Sequence, residues 1–539
     1  MLMKTESFAS RVGWFAILAL AFVTTSTVSF PFDSANLVAN ELSGNDSKLP
    51  NIIVFLVDDM GPMDTSVPML TDSTGKPERH PLNDWYRTPN LEKLAQSGIR
   101  FSTFYAQSVC SPSRISIMTG QNAARHHSTN WIRPTANNRG PFGPEKWNWP
   151  GLDVGDVTLP GMLREKGYRT IHVGKAHFGP NGHDGSDPEK LGFDKNIGGC
   201  SAGQPGSYYG KKNYGNATEG QKKKVHAVPG LEKYHGTETY LSEALTLETN
   251  AEIEKSVDAG KPFFLHMAHY AVHSPFHSDP RFADNYAAAD RTWQQKAFAT
   301  MIEGIDKSLG DIVTKVESLG QSENTLLFFL GDNGSDARIG KPKEHGSSAP
   351  LRGMKATEFE GGTRIPFVAA WLKQNSSNQS QQRLPIATAK IQSQFGTVND
   401  LFPTILGLVE QKIPQGHSID GFDLKQQLAG KKNEARSDSF LMHYPHSHRG
   451  SYFTTYRKGN WKVIYYYRPS DPANPGYLLY DLENDPYENQ DLSESSADQL
   501  AKMMQSMAME LESQGALYPV DGEGNELKPL VPAVASDGR

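Results

Sequence analysis

The stretch Asn51-Ile52-Ile53-Val54-Phe55-Leu56-Val57 constrains the fold of this chain more than any other. Every residue after Asn51 is apolar, and no polar residue alternates with them. The run therefore reads as a strand buried on both faces, as in a parallel sheet covered by helices. It ends on two acids, Asp58-Asp59. Similar units follow. Leu159 to Lys166 reads as a helix that stops at Gly167, and Tyr168 to Gly174 as a strand. Thr237 to Val257 has helical periodicity and leads into the strand Pro262 to Met267. Gln294 to Leu319 is a long helix before the strand Thr325 to Leu330. This alternation predicts an α/β fold with a large, mostly parallel sheet flanked by helices. Ligands in such sheets collect at the carboxyl ends of strands. Asp58, Lys175, His273 and Asp332 all fall just after predicted strands, which predicts one shared site.

A chain of 539 residues is too long for a single compact core,. The main domain is expected over residues 50–412. After it the pattern changes: Trp461 to Tyr467 and Tyr477 to Leu482 read as short strands with turn-rich spacers, and Ala497 to Gln514 as an amphipathic helix. Residues 413–539 are therefore expected to form a smaller α+β subdomain with an antiparallel sheet. Residues 181–236, rich in Gly, Lys and Tyr, read as long loops over the site face. At the other end, Lys4 and Arg11 precede the apolar run Val12 to Val23, too short for a comfortable membrane span,. Residues 1–30 are read as a signal peptide, with an uncleaved anchor as the alternative, and 31–49 as a flexible lead-in. The protein is expected to be exported, periplasmic or secreted, without stable membrane insertion. Net charge is −6, from 54 basic and 60 acidic residues, and gives no reason to expect nucleic acid as a partner,.

Only two cysteines occur. A strand-like segment, Ile99 to Tyr105, leads into Cys110-Ser111-Pro112-Ser113-Arg114, with Thr119-Gly120 downstream. The expected helix has Ser111 as N-cap and Pro112 at its first position, placing Cys110 where backbone N–H groups favour anions. A buried structural thiol and a Cys110–Cys200 disulfide are the alternatives. Asp58, Asp59, Asp332 and Asn333 offer oxygen donors only, which favours Ca²⁺ or Mg²⁺ over Zn²⁺.

The Cys-x-Pro-x-Arg run with its Thr-Gly tail resembles the signature of the formylglycine-dependent type I sulfatases, in the alkaline phosphatase-like superfamily. Gly174-Lys175-Ala176-His177 resembles the Gly-Lys-x-His motif of that family, His273-Ser274-Pro275 its His-x-Pro segment, and Arg352 to Pro366 its "RGGKxTxxEGGxRVP" block. Leu479 to Glu488 resembles its C-terminal "YDLxxDPxE" stretch. Two positions depart from the pattern: Ala176, where Trp is frequent, and Met354, where Gly is common. The resemblance implies that Cys110 is converted to 3-oxoalanine (Cα-formylglycine) by a maturation enzyme. It implies Ca²⁺, with Mg²⁺ as the alternative, held by Asp58, Asp59, Asp332, Asn333 and an oxygen of modified Cys110. Arg114 would bond the metal-ligand carboxylates and the formylglycine hydroxyl. Lys175 and Lys355 would bind sulfate, His177 would hydrogen-bond the hydrate and take a proton, and His273 would act as general acid or sulfate binder.

The implied activity is hydrolysis of a sulfate ester, with a sulfated carbohydrate as the expected partner. A phosphonate monoester or phosphodiester hydrolase on the same scaffold, and a catalytically silent carbohydrate-binding homologue, are the alternatives. Substrate-choosing residues are sought in Trp131 to Trp149 and Cys200 to His235, where aromatic and cationic side chains suit stacking on sugars. Trp147 and Trp149 serve equally well as core anchors.

Overall fold

The computed structural model describes residues 49–218, 224–337, 348–449, 452–467 and 476–532. The segment read as a signal peptide and all but the last residue of the expected lead-in lie outside these. No helix among the described residues is long and apolar enough to cross a membrane.

Among the described residues, ten strands precede residue 400: β1 (Asn51–Val57), β2 (Ile99–Phe101), β3 (Phe104–Tyr105), β4 (Arg169–Gly174), β5 (Lys195–Ile197), β6 (Phe263–Ala268), β7 (Thr325–Gly331), β8 (Phe367–Trp371), β9 (Lys390–Gln392) and β10 (Gly396–Thr397). Eight of them form one sheet in the order β5-β4-β6-β1-β7-β8-β2-β9. Its centre is parallel, with Leu56 level with Ala268 and Val57 with Gly331. β8 alone runs the other way, antiparallel to β7 and β2. β1, β6 and β7 are buried along their whole lengths, as strands sandwiched between helices must be. One face carries Ile53, Phe55 and Val57 against the helices Leu241–Asp258 and Trp293–Ser318. The other carries Ile52, Val54 and Leu56 against Leu159–Glu165 and Leu401–Leu408.

The segment expected as one strand from Ile99 to Tyr105 is two. β2 pairs in the large sheet, while β3 turns away to pair with β10. The described residues of 181–236 are largely irregular, with β5 and short 3-10 turns among them. Towards the C-terminus, β11 (Ser439–Tyr444), β12 (Phe453–Lys458), β13 (Trp461–Tyr466) and β14 (Tyr477–Asp481) make a four-stranded antiparallel sheet in sequence order. The helix Ala497–Ser513 packs Leu500, Met503, Met504, Met507 and Leu511 on one face of it. The other face, with Phe440, Met442, Phe453 and Ile464, meets Tyr105, Val109 and Phe395.

Candidate active site

Four neighbouring parallel strands, β4, β6, β1 and β7, end at the same edge of the sheet. The residues just beyond them meet there. Asp58 and Asp59 follow β1, Lys175 follows β4, His273 follows β6 after a four-residue turn, and Asp332 and Asn333 follow β7. Gly174 ends β4 with φ +99°, and a Cβ there would lie 1.9 Å from the Ala268 carbonyl oxygen. Only glycine lets β4 turn into the site beside β6.

Cys110 is the first residue of the helix Cys110–Thr119, whose N-cap is Val109. Ser111 is not the cap: its Oγ accepts a hydrogen bond from the Ile132 backbone N–H at 3.1 Å. The demand of the 131–134 loop for a buried acceptor outweighs capping here, and the helix starts two residues earlier than expected. Cys110 and Cys200 are not joined in a disulfide, which removes that alternative.

The polar groups form a connected set. Lys175 Nζ donates to Asp58 Oδ2 at 2.7 Å, and Lys355 Nζ lies 2.6 Å from Asp59 Oδ1. Arg114 donates from Nε to Asp332 Oδ2 at 2.9 Å and from Nη1 to the Lys175 carbonyl at 2.7 Å. The Asp59 N–H donates to Asp332 Oδ1 at 3.0 Å, and Asn333 Nδ2 donates to Asp59 Oδ1 at 2.9 Å. His273 Nε2 stands 3.7 Å from Asp59 Oδ2. Asp58, Asp59, Asp332, Asn333, Arg114 and Lys175 are completely buried.

His177 does not continue the strand alongside Lys175. The chain turns at Gly174 and His177 takes φ +58°, which aims its ring at Cys110. His177 Nδ1 lies 3.3 Å from Cys110 Sγ, and Nε2 lies 2.7 Å from the Ile132 carbonyl oxygen. A carbonyl only accepts, so Nε2 carries the hydrogen and Nδ1 is the free base facing residue 110. Gly203 closes the back of that ring: a Cβ on it would meet His177 Cε1 at 2.8 Å. Asp59, His177 and Ala356, which follows Lys355, all have positive φ without being glycine. Such strain costs about 1–3 kcal/mol per residue and concentrates at functional sites.

Burial sets the protonation states. It raises Asp58 well above the usual carboxylate range, although Lys175 pulls the other way. It works against charge on Asp59 too, but Lys355 and His273 together hold that carboxyl low. Burial and then Lys175 push His177 well down, and burial and then Lys355 hold His273 at about 4. Both imidazoles are neutral at pH 7. Burial pushes the Cys110 thiol up, against the pull of Lys175 and Lys355. Lys355 stays charged, because Asp59 and its neighbours outweigh its burial.

Two buried oxygens have no hydrogen-bond donor, Asp58 Oδ1 and Asn333 Oδ1. Arg114 Nη2 stands 3.7 Å from the former, beyond hydrogen-bond distance. One carboxylate oxygen from each of Asp58, Asp59 and Asp332 lies within 4.8 Å of the others. Open oxygen acceptors beside a buried acidic trio fit a hard divalent cation.

Above these groups is a cavity of about 220 Å³ that reaches Cys110, His177, His273 and Lys355. Its outer walls are Trp131 and Pro134, Gly203, Gln204 and His226, Ser274, and Asp336, His448 and Arg449. All the expected site residues are thus brought together. Trp147 and Trp149 do not line this cavity. Trp147 is a core anchor whose Nε1 donates to Asn137, while Trp149 donates to the Arg133 carbonyl. Trp131, Gln204 and His226 fall inside the stretches singled out as substrate-facing. Asp336, His448 and Arg449 escaped the sequence reading. The Asp336–Arg449 pair spans 113 residues, and neither residue sits in a motif or a periodic segment.

The Sulfatase family matches residues 50–411. The family described as N-sulphoglucosamine sulphohydrolase, C-terminal, matches residues 357–515. The N-acetylgalactosamine-6-sulfatase of Rattus norvegicus is 32% identical over 393 residues, covering 70% of this chain and 65% of its own. The chain therefore spans about 65% of the length of the curated relatives it first matches. Arylsulfatase G of Rattus norvegicus is 27% identical over 532 residues, 90% of each chain. Among solved structures, Ps i-CgsB in complex with k-i-k-neocarrahexaose superposes with a TM-score of 0.69 at 24% identity, over 88% of this chain and 96% of that one. The last likeness is one of fold.

Proposed function

The chain belongs to the sulfatase family, and from that membership we propose that it is an exported hydrolase releasing sulfate from a sulfated saccharide. The observation that carries this reading is the convergence on Cys110: His177 Nδ1 at 3.3 Å, and behind it an acidic trio whose oxygens are held by Lys175, Lys355 and Arg114. The N-terminal signal pattern supports export, and the names of the curated relatives support a sulfated sugar. Residues 50–412 are the catalytic part in this reading and 413–539 the C-terminal subdomain.

Asp58, Asp59, Asp332 and Asn333 are the residues that would hold a divalent cation, Ca²⁺ or Mg²⁺. Such a cation would supply Lewis-acid polarisation of the sulfate and of the attacking oxygen. Cα-formylglycine at position 110, when formed from the cysteine by a maturation enzyme, supplies a hydrated aldehyde whose paired hydroxyls give a nucleophile and a route for sulfate release. Lys175 and Lys355 bind sulfate oxygens, with Lys355 charged throughout. Arg114 fixes Asp332 and the Lys175 carbonyl. His177 keeps Nδ1 unprotonated, since its Nε2–H donates to the Ile132 carbonyl, and takes a proton there from the hydroxyl at position 110 as sulfate departs. His273 faces the leaving oxygen through Nε2, since its Nδ1 donates to the Ser274 carbonyl at 2.9 Å. Bound sulfate offsets the repulsion from Lys355 and favours a proton there.

The test is a side-by-side assay of an aryl sulfate and an aryl phosphodiester, with mass spectrometry of the tryptic peptide Phe101 to Arg114. Faster sulfate release, lost in Cys110→Ala, and an aldehyde mass at position 110 are expected. An unmodified thiol in fully active protein would overturn the reading. Preference for the phosphodiester would favour the phosphonate or phosphodiester alternative.

A further inference from the structure

Beyond the sulfate-binding groups, the outer wall of the cavity carries one ion pair. Arg449 bonds Asp336 through both terminal nitrogens, with Nη2 to Oδ2 at 2.8 Å. Both residues line the same cavity as Cys110 and Lys355. Asp336 lies five residues past the end of β7, and Arg449 five past the end of β11. A guanidinium has five N–H donors, and this pair uses two, leaving Nε–H and one hydrogen on each terminal nitrogen. Asp336 keeps acceptor capacity on both oxygens. Donors and acceptors thus sit side by side, fixed by a two-pronged contact with a third of the Arg449 side chain exposed.

The charge of this wall is informative. Of the described residues lining the cavity, only Lys355 and Arg449 are lysine or arginine. Lys355 is held by Asp59 and Arg449 by Asp336. Burial, followed by the repulsion of Arg449, keeps His448 neutral, down at about 4. Gln204 and Ser274 are uncharged. Arg133 lies over the Trp131 ring, 5.6 Å from its centre, and is not part of the lining. A second anionic group on a substrate would meet no unpaired cation along the described lining, and would meet the Asp336 carboxylate.

We propose that Asp336 and Arg449 together bind adjacent hydroxyls of the sugar that carries the sulfate, with Trp131 and His448 as the apolar wall, so that the site selects a neutral monosulfated sugar over a uronate or a disulfated one. The proposal rests on the sulfatase reading. Aspartate accepting and arginine donating match a vicinal diol, in which each hydroxyl does both. The flat Trp131 and His448 rings, 5.9 Å apart, offer a wall for the sugar's C–H face,.

Methyl galactoside 6-sulfate, its uronate-linked disaccharide, its disulfated counterpart and 4-nitrophenyl sulfate are the probes. Wild type should prefer the neutral monosulfated sugar to both anionic ones. In Arg449→Ala the ratio of kcat/KM on methyl galactoside 6-sulfate to that on 4-nitrophenyl sulfate should fall by roughly 10- to 100-fold, the scale of one lost charged hydrogen-bond pair. Arg449→Lys, which keeps charge but not the fork, should recover only part of that ratio. An unchanged ratio, full recovery by lysine, or a preference for an anionic sugar overturns the proposal. If wild type releases sulfate from no probe, the sulfatase reading fails. Calorimetric binding of methyl galactoside 6-sulfate by wild type but not by Arg449→Ala then supports the sugar site independently, and equal binding by both overturns it.

Discussion

Two of the buried charge clusters among the described residues are finished differently. One is the group at the ends of β1, β4 and β7. The other joins the two sheets. There Lys462 Nζ lies 3.0 Å from Glu360 Oε1 and 2.7 Å from Glu488 Oε1. Tyr105 OH donates to Glu360 Oε2 at 2.7 Å, and the Glu360 N–H donates to Glu488 Oε2 at 2.7 Å. All four carboxylate oxygens face a donor or a cation. In the site, Asn333 Oδ1 accepts from no donor, and Asp58 Oδ1 has only the guanidinium of Arg114, at 3.7 Å and outside hydrogen-bond distance. A cluster that only holds a protein together closes on itself, because each unmet buried oxygen costs about 1–3 kcal/mol. One that leaves acceptors open has another purpose for them.

The comparison breaks most directly by removing charge from each side. Asp58→Asn should lower turnover by roughly 10³-fold or more, as expected for losing a group that organises transition-state charge. Its melting temperature should hold or rise, because burial already disfavours the Asp58 carboxylate. Lys462→Met should do the reverse. Two acids left uncompensated in the interior should cost about 3–5 kcal/mol of stability, read by denaturant unfolding, while turnover per folded molecule stays comparable. A stability loss in Asp58→Asn that matches Lys462→Met would erase the distinction.

Cation binding sharpens it next. At a hundredfold excess over its dissociation constant, Ca²⁺ should stabilise wild type by about 2.7 kcal/mol. The gain should vanish in Asp58→Asn and persist in Lys462→Met. Thermal melts in chelator against Ca²⁺ measure it, and an equal gain in all three proteins would count against the trio as the binding site.

Acid separates the clusters further. Burial beside Glu360 pushes Glu488 up to about 7 despite Lys462. A carboxyl raised in the folded state contributes stability below its unfolded value that is lost as pH rises through its folded value. The deficit of Lys462→Met should therefore grow between pH 5 and 8. Elsewhere burial holds His126, His172 and His446 at about 3 and His443 at about 4, against an ordinary value of 6.5. The unfolded chain binds more protons than the native one below pH 6.5, so that stability is complete above 6.5 and drains as pH falls. Wild-type melts between pH 7 and 4.5 should descend. The smallest effect is expected from Gly203→Ala, whose Cβ would press on the His177 ring. A loss of roughly 10-fold in turnover with little change in melting would place the sensitivity in the ring's aim.

Much of this arrangement was legible in the amino-acid order. β1 is read to the residue, because an unbroken apolar run ended by acids has few other uses. Asp58, Lys175, His273 and Asp332 were found as strand-end residues, and the topology then brought them to one edge. What escaped depends on partners distant in sequence. Ser111 looked like a cap until Ile132 claimed its oxygen. Ile99 to Tyr105 looked like one strand until β10 drew its second half aside. β8 runs backwards between β7 and β2, a direction that apolar patterning does not encode. Asp336 and Arg449 meet only because the C-terminal sheet docks beside the site.

The burial of Cys110 sets a clock. Its side chain is walled by His177 and by a helix whose ten residues are all buried, so a protein-sized catalyst has no approach to that sulfur once the chain has folded. Any conversion of Cys110 by a maturation enzyme must be finished while residues 101–120 are still extended, during synthesis or transport. Folding and modification are then competitors for the same segment: a molecule that folds first would keep its thiol permanently, and the active fraction of a preparation would record which of the two was faster.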